Sequence, residues 1–367
     1  MEFGPYQIIG ARGDDEPRSG TEITLWLDTN VAIDIEQFYF GSEKLDKKLI
    51  PHLKDLLFAF PWNGTRRVDI DIIFGLACAE VSWQRIGPHN DTAVRSLRYA
   101  NDLVTLWTPD QIEFAFSHRR PPIDRDKHWP PPLSVTVGGP PRYKHPMMHL
   151  ATAYGYMLHL LYLDQTRSRW SGRLGNDPIW PVRETYRWAR DALGTLSGYE
   201  NYLTVSLFLD PGPRMNAARK LLKIGNANLT PDVRADNAWG AAWDVCFLRT
   251  IDGTTYGMTP LPDTQGGAPT HLVSRDTDTL ALRRGAEVAA VITNPAVAPI
   301  VYVQNKYSEN VKEIDALREL FSTAEDDLAR ASRDSDQLFA QQLDAIAALE
   351  ERMGVQNSTV ASYRAAI

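Results

Sequence analysis

The chain has 367 residues, 43% hydrophobic and 23% charged, which is enough for about two domains with a sizeable core and excludes a disordered or fibrous composition. Its net charge of −7 excludes a uniformly basic nucleic-acid binder. Its two cysteines, Cys78 and Cys246, exclude a disulfide framework or a cysteine–metal cluster and suit a reducing, cytoplasmic compartment.

Residues 1–20 are polar and glycine-rich and read as a flexible leader, without the basic start and apolar run of a signal peptide. Residues 23–28 read as a strand that ends on an acid, "TLWLDTNVAIDIEQF". Asp28 either caps the helix that follows or serves as a ligand at the carboxyl end of a parallel sheet, where α/β proteins place their sites. In "EKLDKKLIPHLKDLLFAF" the apolar residues Leu45, Leu49, Leu53, Leu56, Leu57 and Phe60 recur at helical spacing. Pro51 kinks this helix or marks its true start. "VDIDIIFGLACAEVSWQR" reads as a buried helix with Glu80 near its end.

A long central section follows. "PPIDRDKHWPPPLSVTVGGPPRYKHP" is loop, and helices are expected over about 92–106, 146–166, 182–196, 199–208 and 213–223. The apolar run "MMHLATAYGYMLHLLYL" contains two histidines and reads as a buried helix, so no membrane association is expected. Charge is concentrated here: from Arg85 to Lys223 there are 19 Lys and Arg against 12 Asp and Glu. This basic middle is either an ordinary solvated surface or a polyanion-binding one. Arg119, Arg120, Arg125, Lys127, Arg142 and Lys144 cluster in the proline-rich loop, and Arg167, Arg169 and Arg173 beside Trp170. Basic side chains next to aromatics suit a groove that neutralises phosphates and stacks bases, unless Trp129, Trp170, Trp180 and Trp188 are core anchors.

After Thr230, "PDVRADNAWGAAWDVCFLRTI" reads as a helix with Pro231 in its first turn. "THLVSRD" is a short strand ending on Asp276, "TDTLALRRG" a short helix and "AEVAAVI" another strand. From Ser308 to Met353 the chain reads as almost wholly helical, with a heptad seam at Ile314, Leu317, Phe321, Ala324, Leu328 and Ala331. That seam packs on its own protein or forms a homodimer or partner-docking coil.

The acids Asp28, Glu80, Asp244 and Asp276, with Asp278 two residues on, sit among apolar neighbours, where an unpaired charge is costly. Each alone fits a cap or a salt bridge, and Asp276 fits an N-cap for the helix after it. In order they read strand–Asp, helix–Glu, helix–Asp, strand–Asp. This pattern resembles the PIN-domain nuclease family on "LDTN" (Leu27 to Asn30), Glu80 in "ACAEVSW", Asp244 in "AAWDVCFLR" and "LVSRDTD" (Leu272 to Asp278). Asp236 is the fallback for Asp244.

The resemblance implies an α/β fold, a PIN-like parallel sheet flanked by helices, formed by residues 21–84 and 230–300. To this are added a mostly helical basic insertion over 85–229 and a C-terminal helical extension over 301–367. It implies Mg²⁺- or Mn²⁺-dependent hydrolysis of nucleic acid, RNA favoured over DNA, in a setting such as RNA maturation, a toxin–antitoxin pair or phage defence. The ligands it implies are Asp28, Glu80, Asp244 and Asp276, with Asp278 as a further ligand and Asn30 and Ser274 as donors behind them. Hard divalent cations want such oxygen ligands. The rival readings are a non-catalytic nucleic-acid-binding or scaffold protein on the same fold, a small-substrate phosphohydrolase, and an interaction protein working through its C-terminal helix.

Overall fold

The computed structural model describes residues 2–10, 23–59, 70–87, 90–119, 146–225, 229–255, 270–294, 297–321 and 333–366. The architecture is mixed α/β, and the chain divides into two compact units: Met1–Lys144 with Phe247–Thr277, and His145–Cys246 with Asp278–Ile367.

In the first unit, Glu2–Phe3 (β1) and Tyr6–Gly10 (β2) pair antiparallel around Gly4, whose φ of +61° suits a residue without a Cβ. The expected flexible leader is therefore a strand pair over residues 2–10. Its apolar residues Tyr6, Ile8 and Ile9 are buried, and burial outweighs the polar composition around them. Ile23–Leu27 (β3) follows, then α1 (Thr29–Tyr39) and α2 (Leu49–Phe58). Pro51 falls in the first turn of α2, where its missing N–H has no helical partner to lose, so it marks the start rather than a kink.

The segment expected as one buried helix splits into a strand, β4 (Ile70–Ile73), and a shorter helix, α3 (Gly75–Ser82). Ile70, Ile72 and Ile73 are β-branched and pair with the parallel strand β3, so the pairing takes this segment from the helix. Helices α4 (Asp91–Val104) and α5 (Pro109–His118) complete this part. Helix α5 has a capping box, Thr108 with Gln111, that was passed over in the sequence although its spacing is legible there. Thr270–Ser274 (β5) inserts between β2 and β3.

The sheet order is β1-β2-β5-β3-β4, with β5, β3 and β4 parallel and β1 and β2 antiparallel to their neighbours. The wholly parallel sheet expected is thus corrected to a mixed one. Against it, α1 buries Val31, Ala32, Ile35, Phe38 and Tyr39, and Phe38 stacks on Phe116 with ring centroids 4.1 Å apart. The buried Asn101 amide of α4 donates to the Ala32 carbonyl at 3.0 Å, which holds α4 on α1.

The second unit is mainly helical: α6 (Met147–Gln165), the single turn α7 (Arg167–Trp170), α8 (Trp180–Trp188), α9 (Gly198–Leu209), α10 (Pro213–Leu221) and the part of α11 (Pro231–Thr255) up to Cys246. Helix α6 is apolar all round and buried on every side: Leu150, Tyr154, Leu158 and Leu161 are covered, and so are Ala153, Tyr156, Met157 and Leu160. Each large side chain so covered contributes about 1.5–3 kcal/mol. The helix is a core element, as expected, and among the described residues no helix is long and apolar enough to cross a membrane. Its His159 stacks on Trp188 at 4.4 Å, and burial, then Arg352, pushes the imidazole pKa down to about 3, so the ring is neutral.

After α12 (Thr277–Gly285), Ala286–Asn294 (β6) and Val297–Asn305 (β7) form a separate antiparallel pair rather than an added strand of the main sheet. The stretch from Ser308 to Met353, expected as almost wholly helical, departs from that at its start. Ser308–Glu313 is a turn segment, and helix begins at α13 (Ile314–Phe321), resumes as α14 (Ser335–Met353), and after Gly354 at φ +77° gives way to α15 (Thr359–Ala366). The described part of the heptad seam, Ile314, Leu317 and Phe321, packs on Ile179, Val182, Val205 and Val311 of its own unit. Ala324, Leu328 and Ala331 lie outside the described residues.

The buried Glu350 joins these last helices. Its Oε1 accepts from Tyr154 Oη at 2.8 Å and from the Thr359 N–H at 3.0 Å, and its Oε2 accepts from Ser358 Oγ at 2.5 Å. Glu350→Ala removes the carboxylate that these three donors share. It is expected to lower stability by about 3 kcal/mol or more, read as a fall in the denaturant midpoint. Glu350→Gln, which keeps one carbonyl acceptor, loses less.

Candidate functional site

Asp28 leaves the carboxyl end of β3, and its own N–H donates to the Val273 carbonyl of β5 at 2.9 Å. Its backbone occupies the N-cap position of α1, where its carbonyl accepts from the Val31 and Ala32 N–H groups at 3.0 Å, but its side chain caps nothing. The carboxylate turns instead toward the neighbouring strand. Ser274 Oγ donates to Asp28 Oδ2 at 2.6 Å, and the Asp276 N–H donates to Ser274 Oγ at 2.9 Å. Asn30 and the Thr29 backbone also bond to the Asp28 carboxylate. Asp28 is 5% exposed. Burial raises its pKa; the bonds from Ser274, Thr29 and Asn30 oppose that, and the charge of Asp276 adds to it. Asp276 is itself half-buried.

Glu80, on α3, is bound to this corner through Thr29, whose Oγ1 donates to Glu80 Oε2 at 2.5 Å. The residues between the two acids of β3 and β5 are also fixed. Arg275 Nε lies 2.8 Å from Asp34 Oδ2 on α1, and Tyr6 Oη of β2 donates to the same oxygen at 3.0 Å. Arg275 is thereby committed to Asp34, and the backbone that carries Ser274 and Asp276 is tied to both β2 and α1. Thr29, Asp34 and Arg275 were not singled out from the sequence. For Asp34 a signal existed, since it is an acid lying on the same buried helix face as Val31, Ile35 and Phe38.

Of the expected ligands, Asp28, Glu80 and Asp276 belong to the first unit, with Asn30 and Ser274, whereas Asp244 and Asp278 belong to the second. There Thr279 Oγ1 donates to Asp244 Oδ1 at 3.3 Å, and Lys220 Nζ neutralises Asp278 at 2.9 Å. Asp278 as expected was an acid awaiting a cation; Lys220 supplies a positive charge already. The fallback Asp236 is exposed on α11. Among the described residues no three His, Cys, Asp or Glu side chains gather as an ion held by protein ligands alone requires. Cys78 is buried, and burial pushes its thiol up to about 12, which leaves it an inert apolar filler. Of the loop cations only Arg119 is described; Arg120, Arg125, Lys127, Arg142 and Lys144, with Trp129, lie outside the described residues.

A carboxyl whose pKa is raised by folding binds its proton more tightly in the folded chain than in the unfolded one. It therefore weakens the fold once the pH rises past its ordinary carboxylate value, and the cost is complete above its raised value. Asp28→Asn keeps an oxygen for Ser274 and removes the charge. The variant is expected to melt higher than the parent at pH 7, and the difference should shrink as the pH is lowered through the carboxylate range, as measured by thermal melts at several pH values.

No family model, curated protein or solved structure matches this chain.

Proposed function

We propose that the first unit carries a metal-assisted phosphodiesterase site of PIN-like type, acting on nucleic acid with RNA the favoured substrate. The observation that carries this reading is that Ser274 bonds the Asp28 carboxylate and receives the Asp276 backbone N–H at the carboxyl ends of adjacent parallel strands, with the charge of Asp276 acting on Asp28. A carboxylate buried this deeply is costly unless a charge of opposite sign answers it, and a second acid beside it raises the cost. Among the described residues no lysine or arginine pairs with Asp28.

The donor set is all oxygen. With two carboxylates rather than a closed cage, it fits an ion such as Mg²⁺ or Mn²⁺ that keeps several of its waters. Asp28 and Asp276 would hold that ion, while Glu80 is held on α3 by Thr29. Bound there, the ion would offset charge on the scissile phosphate and lower the cost of deprotonating the attacking water. The chain's own work is positional. Ser274 and Asn30 fix the rotamer of Asp28, Thr29 fixes Glu80, and the Arg275–Asp34 pair fixes the turn between Ser274 and Asp276. In the reaction the water oxygen forms a bond to phosphorus and the ester P–O bond breaks toward the departing sugar oxygen.

The second reading is a non-catalytic nucleic-acid-binding or scaffold protein on the same fold. The observation that favours it is that Asp278 is already neutralised by Lys220.

The test is incubation of the full chain with labelled single-stranded RNA and DNA in Mn²⁺, Mg²⁺ or chelator. The parent is expected to cleave with metal and not with chelator. Asp28→Asn and Asp276→Asn are expected to lose about 100-fold or more, and Ser274→Ala about 10–100-fold, the range for groups that orient a metal ligand. Asp236→Asn, at an exposed position, should stay at the parental rate. A folded parent that cleaves neither polymer with either ion sinks the catalytic reading and leaves the binding one.

A further inference from the structure

Between Gln165 and Asn176 the chain reads QTRSRWSGRLGN, with three arginines and no acid. In the second unit this stretch forms the turn α7 and a 3₁₀ turn, Ser171–Gly175, built over a pair of tryptophans. Trp170 is buried, and its indole N–H donates to the Leu163 carbonyl of α6 at 2.8 Å. Its ring stacks on Trp180, with centroids 5.2 Å apart and planes 27° from parallel, and meets Phe208 edge-on. The Arg167 guanidinium carbon lies 5.9 Å from the Trp170 ring centroid and that of Arg173 lies 5.2 Å from the Trp180 centroid. Both distances are within the range of cation–π attraction.

Arg167, Arg169 and Arg173 are all exposed, and among the described residues none of the three forms an ion pair. Neighbouring arginines differ in this respect: Arg183 is paired with Asp177, and Arg190 with Asp191.

A guanidinium resting on an indole face is already ordered, so it loses less freedom when it binds than a free side chain does. A guanidinium presents N–H donors in a planar fork that matches two phosphate oxygens. The tryptophans, by contrast, are not available to bases. Trp170 is enclosed, and Trp180 already carries Trp170 and Arg173. Of the two readings of Trp170, the core anchor holds over base stacking, and what the surface offers a ligand is charge alone.

We propose that Arg167, Arg169 and Arg173 form a surface that grips the phosphates of single-stranded nucleic acid and is blind to base and sugar. The proposal rests on the reading of the chain as a phosphodiesterase, because a site made of carboxylates repels a polyanion and needs cations elsewhere on the chain to hold it. Phosphate is favoured over a carboxylate-rich peptide as the ligand because two fixed guanidinium forks suit a chain that repeats a two-oxygen acceptor at every unit.

Binding is measured by fluorescence anisotropy in the Asp28→Asn background with chelator, so that the probe stays intact. The probes are a labelled single-stranded RNA and a DNA of the same sequence, titrated at several salt concentrations. R167A/R173A is expected to bind both about tenfold or more weakly, and the slope of log affinity against log salt should fall by about 1.4, the value for two phosphate contacts on a single strand. If the alanine pair does not fold, R167Q/R173Q keeps the aliphatic stems over the indoles and gives the same readout. Unchanged affinity and slope overturn the proposal. So does a loss confined to RNA, or displacement of the RNA by polyglutamate at equal charge. A parent that binds in this way but cleaves nothing leaves the phosphate surface standing and removes only the catalytic reading.

Discussion

The first unit is organised around one unfavourable charge. The Asp28 carboxylate is withdrawn from water at the end of β3 and held by Ser274 on the adjacent strand. A site with only structural demands would place a neutral residue there, because well-packed apolar groups are commonly as stable as a buried charge or more so. Sheet, helix and loop are arranged to keep that carboxylate in one orientation. β3 lies between two parallel neighbours, α1 begins immediately after it, and Ser274 and Asp276 arrive from β5. The tie between Arg275, Asp34 and Tyr6 serves the same end at a distance, because it fixes the backbone on which Ser274 and Asp276 ride.

Much of this was legible in the sequence where a local pattern had only one good structural solution. The strand before Asp28, the helix after Pro231, the buried α6 and the short strand and helix around Asp276 were read correctly because apolar spacing and cap residues agreed there. Two of the failures share one cause, pairing between segments far apart in the chain. Tyr6, Ile8 and Ile9 looked like part of a leader until β5 supplied an edge for them. "IDII" looked like the start of a helix until β3 supplied a parallel partner. Val297–Asn305 was passed over because a hairpin on its own carries little local signal of what it packs against.

The site was legible in part for the same reason. Asp28, Asn30, Ser274 and Asp276 stand out because strand-end polar residues among apolar neighbours are visible in one dimension. The commitments of Arg275 to Asp34 and of Lys220 to Asp278 are not visible there, since they join residues 241 and 58 positions apart. Net charge could show that the middle of the chain was basic. Only geometry separates Arg183 and Arg190, which are already neutralised, from Arg167, Arg169 and Arg173, which are not.

The position of β3 between strands from distant parts of the chain has a consequence for biosynthesis. Ser274 is 246 residues beyond Asp28, so the nascent chain must leave the ribosome almost to its last quarter before β5 can dock. At ordinary elongation rates that interval is roughly 12–50 s. Throughout it the edge of β3 that β5 will occupy has no partner, and Asp28 lacks the hydroxyl that orients it. The pocket is therefore assembled late in translation, after the helical segments encoded between its two halves have been made. A chain released early would carry the first acid without the last.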